Sequence, residues 1–191
     1  NELDRTLEGL EAALSYPSLK VKINCVPTFQ TDQELLQVAA LARENPLHVR
    51  FIEMMPIGLG KDFTARDENS VKEILEKTYG SLTPVSEVLG NGPCHYYTLG
   101  DFKGKIGFIS ALSHKFCNQC NRVRLTSTGY LKGCLQFENG VDLKALLRNG
   151  ASDEILKNAL QKAIFEKPAG HNFQEKKNGR EESHIMSQIG G

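Results

Sequence analysis

The chain has 191 residues, 40% of them hydrophobic and 24% charged, with 23 Lys and Arg against 23 Asp and Glu. That balance steers it toward neither nucleic acid nor an anionic membrane, and no apolar run approaches the roughly 18 residues that a membrane span needs. Five cysteines, three of them crowded together, suit a metal site in a reducing compartment better than a disulfide framework, so a cytoplasmic globular protein is expected.

The opening residues, NELDRTLEGLEAAL, carry neither the basic nor the apolar region of a signal peptide, and the absence of an initial Met suggests a processed or truncated chain. Leu3, Leu7, Leu10 and Leu14 recur at helical spacing, which predicts an amphipathic helix ending near Tyr16–Pro17. Leu19 to Val26 alternates apolar and polar residues and reads as a strand. A helix from Asp32 to Glu44 follows, opened by Thr31 as N-cap with Glu34 three residues on. His48 to Glu53 reads as a second strand, and Asn69 or Ser70 as the cap of a third helix running to Tyr79. Strand, helix, strand and helix with short connections predict parallel βαβ units.

After Gly80 the texture changes. His95–Leu99, Lys105–Ser110, Arg122–Thr126 and Tyr130–Leu135 read as short strands between Gly-bearing turns, which suggests a small antiparallel sheet. Two helices, Asp142–Arg148 and Ser152–Phe165, come next. From Glu166 onward the chain is polar and reads as a mobile tail.

Cys117, Cys120 and Cys134 are spaced C-x2-C-x13-C. The first pair can converge on one metal or cluster, and the third arrives from the next strand of a hairpin. Structural zinc would want a fourth ligand, and none stands at the usual spacing; Cys94, His95 and His114 are the residues that could be recruited. Three thiolates on a four-iron cluster would leave one iron open to a substrate. From Lys103 to Leu135 there are six basic residues (Lys103, Lys105, Lys115, Arg122, Arg124, Lys132) and no Asp or Glu. Strand parity from Cys120 would aim Arg122 and Arg124 the same way as that cysteine, with Val123 and Leu125 opposite. Two guanidinium forks beside a metal ligand point to a phosphorylated substrate.

Similar logic applies to the early strands. Lys22 and Asn24 share a face opposite Val21 and Ile23, and inward Lys and Asn near a strand's end read as site residues. Arg50 and Glu53 interrupt an apolar strand and need partners if buried.

VKIN at 21–24, RFIEMMP at 50–56, GKIGFIS at 104–110, FCNQCNRVRLTSTGYLKGC at 116–134 and SQIGG at 187–191 together resemble the GTP 3′,8-cyclase family of molybdenum cofactor biosynthesis, within the radical S-adenosylmethionine superfamily. The resemblance is to the C-terminal part only. Family members begin with a further stretch holding a C-x3-C-x2-C motif, whose [4Fe-4S] cluster binds and cleaves S-adenosylmethionine; here the first cysteine is Cys25.

The resemblance implies an α/β chain: the late βα units of an incomplete (β/α) barrel at residues 1–80, a small α+β iron–sulfur domain at 81–165, and a polar tail at 166–191. It implies a [4Fe-4S] cluster on Cys117, Cys120 and Cys134, GTP contacts from Lys22, Arg50, Arg122, Val123 and Arg124, and an S-adenosylmethionine contact from Met55, which parity puts in the loop beyond the strand. Asn24 would lie near that contact, whereas Cys25 and Cys94 match no ligand. The family chemistry is hydrogen abstraction from ribose C3′ of GTP, attack on guanine C8, and reduction to 3′,8-cyclo-7,8-dihydro-GTP. This chain alone would bind but not turn over, a homodimer is expected because the family tends to dimerise, and the double-glycine end would reach the active site. The competing reading is a non-catalytic zinc or iron–sulfur binding module.

Overall fold

The computed structural model describes residues 2–173 and 184–189. It is an α/β protein whose chain divides into two compact units. The first comprises residues 1–54 and 64–115, the second residues 55–63 and 116–191.

In the first unit, α1 (Glu2–Leu14) leads to β1 (Lys22–Cys25), α2 (Asp32–Glu44), β2 (His48–Ile52), α3 (Glu68–Tyr79), β3 (Leu82–Pro84), β4 (His95–Leu99) and β5 (Ile106–Ile109). These strands form one sheet in the order β1-β2-β5-β4-β3, parallel from β1 to β5 and antiparallel across β4 and β3. α2 begins with the expected reciprocal cap: the Glu34 N–H donates to Thr31 Oγ1 at 3.3 Å and the Thr31 N–H donates to Glu34 Oε2 at 2.7 Å. Leu35, Ala39 and Ala42 recur on its inner face. They pack with Leu47, Val49, Phe51, Val71, Leu75, Ile106 and Phe108 into the core. On α1 only Leu10 and Leu14 pack against this core, while Leu3 and Leu7 are exposed.

Two expectations for this unit change. The cap of α3 is Asp67, whose carboxylate accepts the Ser70 N–H at 2.8 Å. Asn69 and Ser70 lie inside the first turn, where an acidic N-cap also complements the helix dipole. The change of texture after Gly80 is not a boundary between compact units, because β3, β4 and β5 hydrogen-bond into the first sheet and the unit runs on to Lys115.

The second unit carries its own antiparallel sheet, β6 (Arg124–Leu125), β7 (Tyr130–Lys132) and β8 (Gly140–Asp142), followed by α4 (Leu143–Arg148) and α5 (Asp153–Phe165). Asp142 caps α4 and Ser152 caps α5. Ile57, Leu135 and Ile189 form a small buried cluster, with Met55, Phe173 and Met186 packed against it. The expectation of a mobile tail from Glu166 is therefore corrected for the described residues: Ile189 is 1% exposed, and Lys167 is tied into the cysteine loop. Apolar Ile and Phe within the polar stretch supply the burial that a composition average hides. Gly190 and Gly191 lie outside the described residues.

Among the described residues, no helix is long and apolar enough to cross a membrane.

Candidate functional site

Two groups of polar side chains stand out, one in each unit. The first lies on the sheet face opposite α2 and α3. Register pairs Asn24 with Arg50, Arg50 with Gly107, and Gly107 with Tyr96, so these four residues form one row across β1, β2, β5 and β4. Arg50 Nε donates to Asn24 Oδ1 at 2.8 Å. Lys22, on the same face as Asn24, donates through Nζ to the Leu89 carbonyl and lies 5.7 Å from the centre of the Tyr96 ring. Gly107 leaves the room that this row needs: a Cβ there would come within 2.5 Å of Cys94 Sγ and 3.0 Å of the Tyr96 ring.

The electrostatics follow from that crowding. Burial pushes the Tyr96 hydroxyl up to about 12, helped by the Cys94 thiol beside it and opposed by the Arg50 guanidinium. Burial likewise raises Cys94, against the pull of Tyr96, Arg50 and Lys22. His48 is held below its ordinary value by burial and then by the Lys22 and Lys105 charges. A face with two cations and a neutral phenol, thiol and imidazole is suited to an anion. Glu53 does not belong to it. It is buried, and its carboxylate accepts the Leu112 and Ser113 N–H groups at 2.6 and 2.9 Å, which satisfies the buried charge locally.

The second group is the cysteine region. Cys117 opens a short 3-10 turn, Cys117–Gln119, and the Cys120 N–H closes it on the Cys117 carbonyl at 3.2 Å. Cys134 follows β7. The cations here include Arg122, Arg124, Lys132 and Lys167. Burial raises the Cys120 thiol, but the Arg122 N–H, the Lys167 ammonium and the Arg124 charge outweigh it, so the thiol titrates below its ordinary value. The Arg124 guanidinium feels both Cys120 and Cys134, and burial lowers its pKa. Its Nε is buried without a hydrogen-bond partner among the described residues. Burial lowers the Lys132 ammonium too, against the pull of Cys134 and Glu138.

The face expected from parity is realised only in part. The strand is just two residues long, and inward and outward positions alternate from Val123 to Thr126, with Arg124 and Thr126 turned inward. Val123 and Leu125 are 44% and 59% exposed, so the usual pattern is inverted. Arg122 falls outside the alternation and is exposed. Met55 lies in the loop after β2, where parity puts it, and packs on Ile57, Leu135 and Ile189. Cys25, Cys94, His95 and His114 belong to the first unit.

No three His, Cys, Asp or Glu side chains among the described residues converge closely enough to hold a single metal ion. The donor chemistry nevertheless fits a cluster on Cys117, Cys120 and Cys134. Thiolates need positive surroundings, and Arg124 carries an unpartnered buried donor beside two of the three. Sequence reasoning missed Lys167, Tyr96 and Gly107. The first sits in a stretch that reads as tail, and the pairing of Tyr96 with Gly107 depends on a strand register that no local pattern encodes.

The fold and its two polar groups define an α/β chain with one anion-suited sheet face and one cationic three-cysteine region. Residues 47–173 match the Molybdenum Cofactor Synthesis C family, and the chain belongs to it. Among its relatives is a GTP 3′,8-cyclase of Clostridium perfringens (strain 13 / Type A), 44% identical over 191 residues that cover 99% of this chain and 58% of the relative. Another is a GTP 3′,8-cyclase of Syntrophomonas wolfei, 42% identical over 194 residues that cover 100% of this chain and 59% of the relative. A third, from Desulforamulus reducens, is 41% identical over 187 residues that cover 96% and 57%. The chain thus spans less than two thirds of the length of these relatives.

Proposed function

We propose that this chain is the GTP-binding, cluster-holding part of a GTP 3′,8-cyclase, a cytoplasmic lyase of molybdenum cofactor biosynthesis. The observation that carries the reading is the cationic setting of Cys120 and Cys134 around Arg124, in a chain 44% identical to a GTP 3′,8-cyclase. Cys117, Cys120 and Cys134 would hold a [4Fe-4S] cluster, which supplies an open iron for the purine when bound. S-adenosylmethionine and a second [4Fe-4S] cluster belong to the complete protein, with the C-x3-C-x2-C stretch as the missing partner.

The residues of this chain do the positioning. Lys22 and Arg50 in the first unit, and Arg122 and Arg124 in the second, are suited to phosphate and purine edges through charge-assisted donors. Val123 is an exposed apolar surface for the base, and Met55 is the S-adenosylmethionine contact. Holding ribose C3′ and guanine C8 together in one orientation removes most of the entropic barrier to their joining. Without the second cluster, the chain binds GTP and does not cyclise it.

Anaerobic reconstitution with iron and sulfide tests this. Equal iron and sulfide, broad visible absorption and calorimetric GTP binding are the expected results, with native mass giving the dimer. Zinc uptake with no sulfide, and no GTP binding, would return the chain to the alternative of a non-catalytic binding module.

A further inference from the structure

The segment Lys167–Gly170 follows α5 and touches all three cysteine segments. Its backbone is fixed by the helix end, where the Lys167 N–H donates to the Ile164 carbonyl at 3.3 Å. The Lys167 ammonium donates to the Cys120 carbonyl at 2.7 Å, the Arg122 carbonyl at 2.8 Å and Cys120 Sγ at 3.2 Å. A lysine has three N–H donors, and all three are used on one loop. The stem of the side chain runs past Gly133, the neighbour of Cys134: a Cβ on that glycine would lie 3.5 Å from Lys167 Cβ and 3.2 Å from the Ala163 carbonyl oxygen. At the far end of the segment, a Cβ on Gly170 would meet Cys117 Cβ at 3.6 Å and Sγ at 3.8 Å.

We propose that Lys167 is a positioning residue of the three-cysteine site, its ammonium pinning the Cys120–Arg122 segment in the ligating arrangement and offsetting thiolate charge there. The proposal rests on the reading of Cys117, Cys120 and Cys134 as cluster ligands. Lysine suits the task because a compact ammonium can serve two carbonyls and a sulfur from one point. A glutamine keeps two donors and loses the charge, whereas an arginine keeps the charge, so the two substitutions separate tethering from electrostatics.

The test uses the full chain with Lys167→Ala, Lys167→Gln and Lys167→Arg. Circular dichroism checks the fold of each. In the cluster-free protein, hydrogen exchange of the 120–122 amides reads the tether and should be faster in Lys167→Ala. In the reconstituted protein, iron release to a chelator should be about tenfold faster in Lys167→Ala and Lys167→Gln, as loss of a charge-assisted hydrogen bond implies, and within about twofold of the parent in Lys167→Arg. The cluster's reduction potential should move negative in Lys167→Gln, since a nearby positive charge favours the more negative, reduced state. A reconstituted Lys167→Gln protein with the parent's potential overturns the electrostatic role, and the proposal with it. Unchanged amide exchange in Lys167→Ala overturns the tether. A parent chain that takes up no iron and sulfide overturns the ligand reading instead, while the exchange measurement still decides the tether.

Discussion

Arg50 Nε donates to Asn24 Oδ1 at 2.8 Å between residues paired in register on neighbouring parallel strands. The amide thereby fixes the direction in which the remaining guanidinium donors point. On the proposed function this matters for GTP, because an arginine held in place loses less freedom on binding phosphate than a loose one. Asn24→Ala should weaken GTP binding about three- to tenfold by calorimetry, and Asn24→Asp, which keeps the acceptor but sets a negative charge against Arg50 on the anion face, should weaken it at least as much. In the Arg50→Ala background, Asn24→Ala should have little further effect, since the two act as one unit. Additive losses would mean that Asn24 acts independently of Arg50.

Gly107 stands between Arg50 and Tyr96 in the same row, and the nearest obstacle to a side chain there is Cys94 Sγ, 2.5 Å from where a Cβ would be. Gly107→Ala should destabilise the first unit by about 1–3 kcal/mol, the usual range for overpacking. Cys94→Ala in that background removes the closest clash and should recover part of the loss, leaving the 3.0 Å approach to the Tyr96 ring. Denaturant melts of the two single variants and the double variant measure that coupling directly.

How far these groups can be read from sequence depends on whether their causes are local. The Thr31–Glu34 cap, α2 and the strand β4 are legible because capping and alternation act within a few residues. The grouping of strands is not. The four short strands after Gly80 look like one antiparallel sheet, but two join the mixed sheet of the first unit and two form a separate sheet with β8. Local texture does not encode which edge a strand pairs with. Lys22, Asn24 and Arg50 are legible as polar interruptions of apolar strands. Lys167 is not, because its partners lie 45 and 47 residues away in sequence.

Glu68 is a buried carboxylate at the start of α3, with Lys72 Nζ at 2.6 Å, His114 Nδ1 at 3.2 Å and the Ser110 hydroxyl donating to it. Burial pushes its pKa up, but the hydrogen bonds from Lys72 and Ser110 and the charges of Lys72 and His114 outweigh it, so it titrates below its ordinary value. The unfolded chain therefore takes up this proton first as pH falls. Glu68 stabilises the fold fully above its ordinary carboxylate pKa and loses that contribution as pH drops through the lower folded value. Glu68→Gln should cost about 2–3 kcal/mol at neutral pH, less than for a fully buried pair because Lys72 is 23% exposed. It should also flatten the acid limb of the stability–pH curve. An acid limb as steep as the parent's would assign that limb to other carboxylates.

The five cysteines separate by unit: Cys25 and Cys94 in the first, Cys117, Cys120 and Cys134 in the second. On the proposed ligand set, Ala at any of the latter three should abolish reconstituted iron, whereas Cys25→Ala and Cys94→Ala should leave it unchanged. Burial raises both of those thiols, which disfavours the thiolate a metal requires. Iron analysis of the five single variants reads this directly. Iron lost with Cys94→Ala would mean a different ligand set.

Ile189 is 1% exposed and packs with Ile57 and Leu135, the residue after Cys134. The short turn Met186–Gln188 delivers it, closed by the Ile189 N–H on the Met186 carbonyl at 3.2 Å. A side chain this buried contributes through the apolar area it removes from water and through the cavity it would leave. Ile189→Ala should destabilise the second unit by about 2–4 kcal/mol, and Ile189→Val by about 1 kcal/mol. The first unit has its own core, built from Leu35, Val49, Ile106 and Phe108 among others, so its transition should not move. Hydrogen exchange resolves the two units. Protection around Leu131 and Leu135 should fall in Ile189→Ala, while protection in β2 and β5 stays at the parent level. Unchanged protection at Leu131 and Leu135 would mean that the C-terminal segment contributes nothing to that cluster's stability.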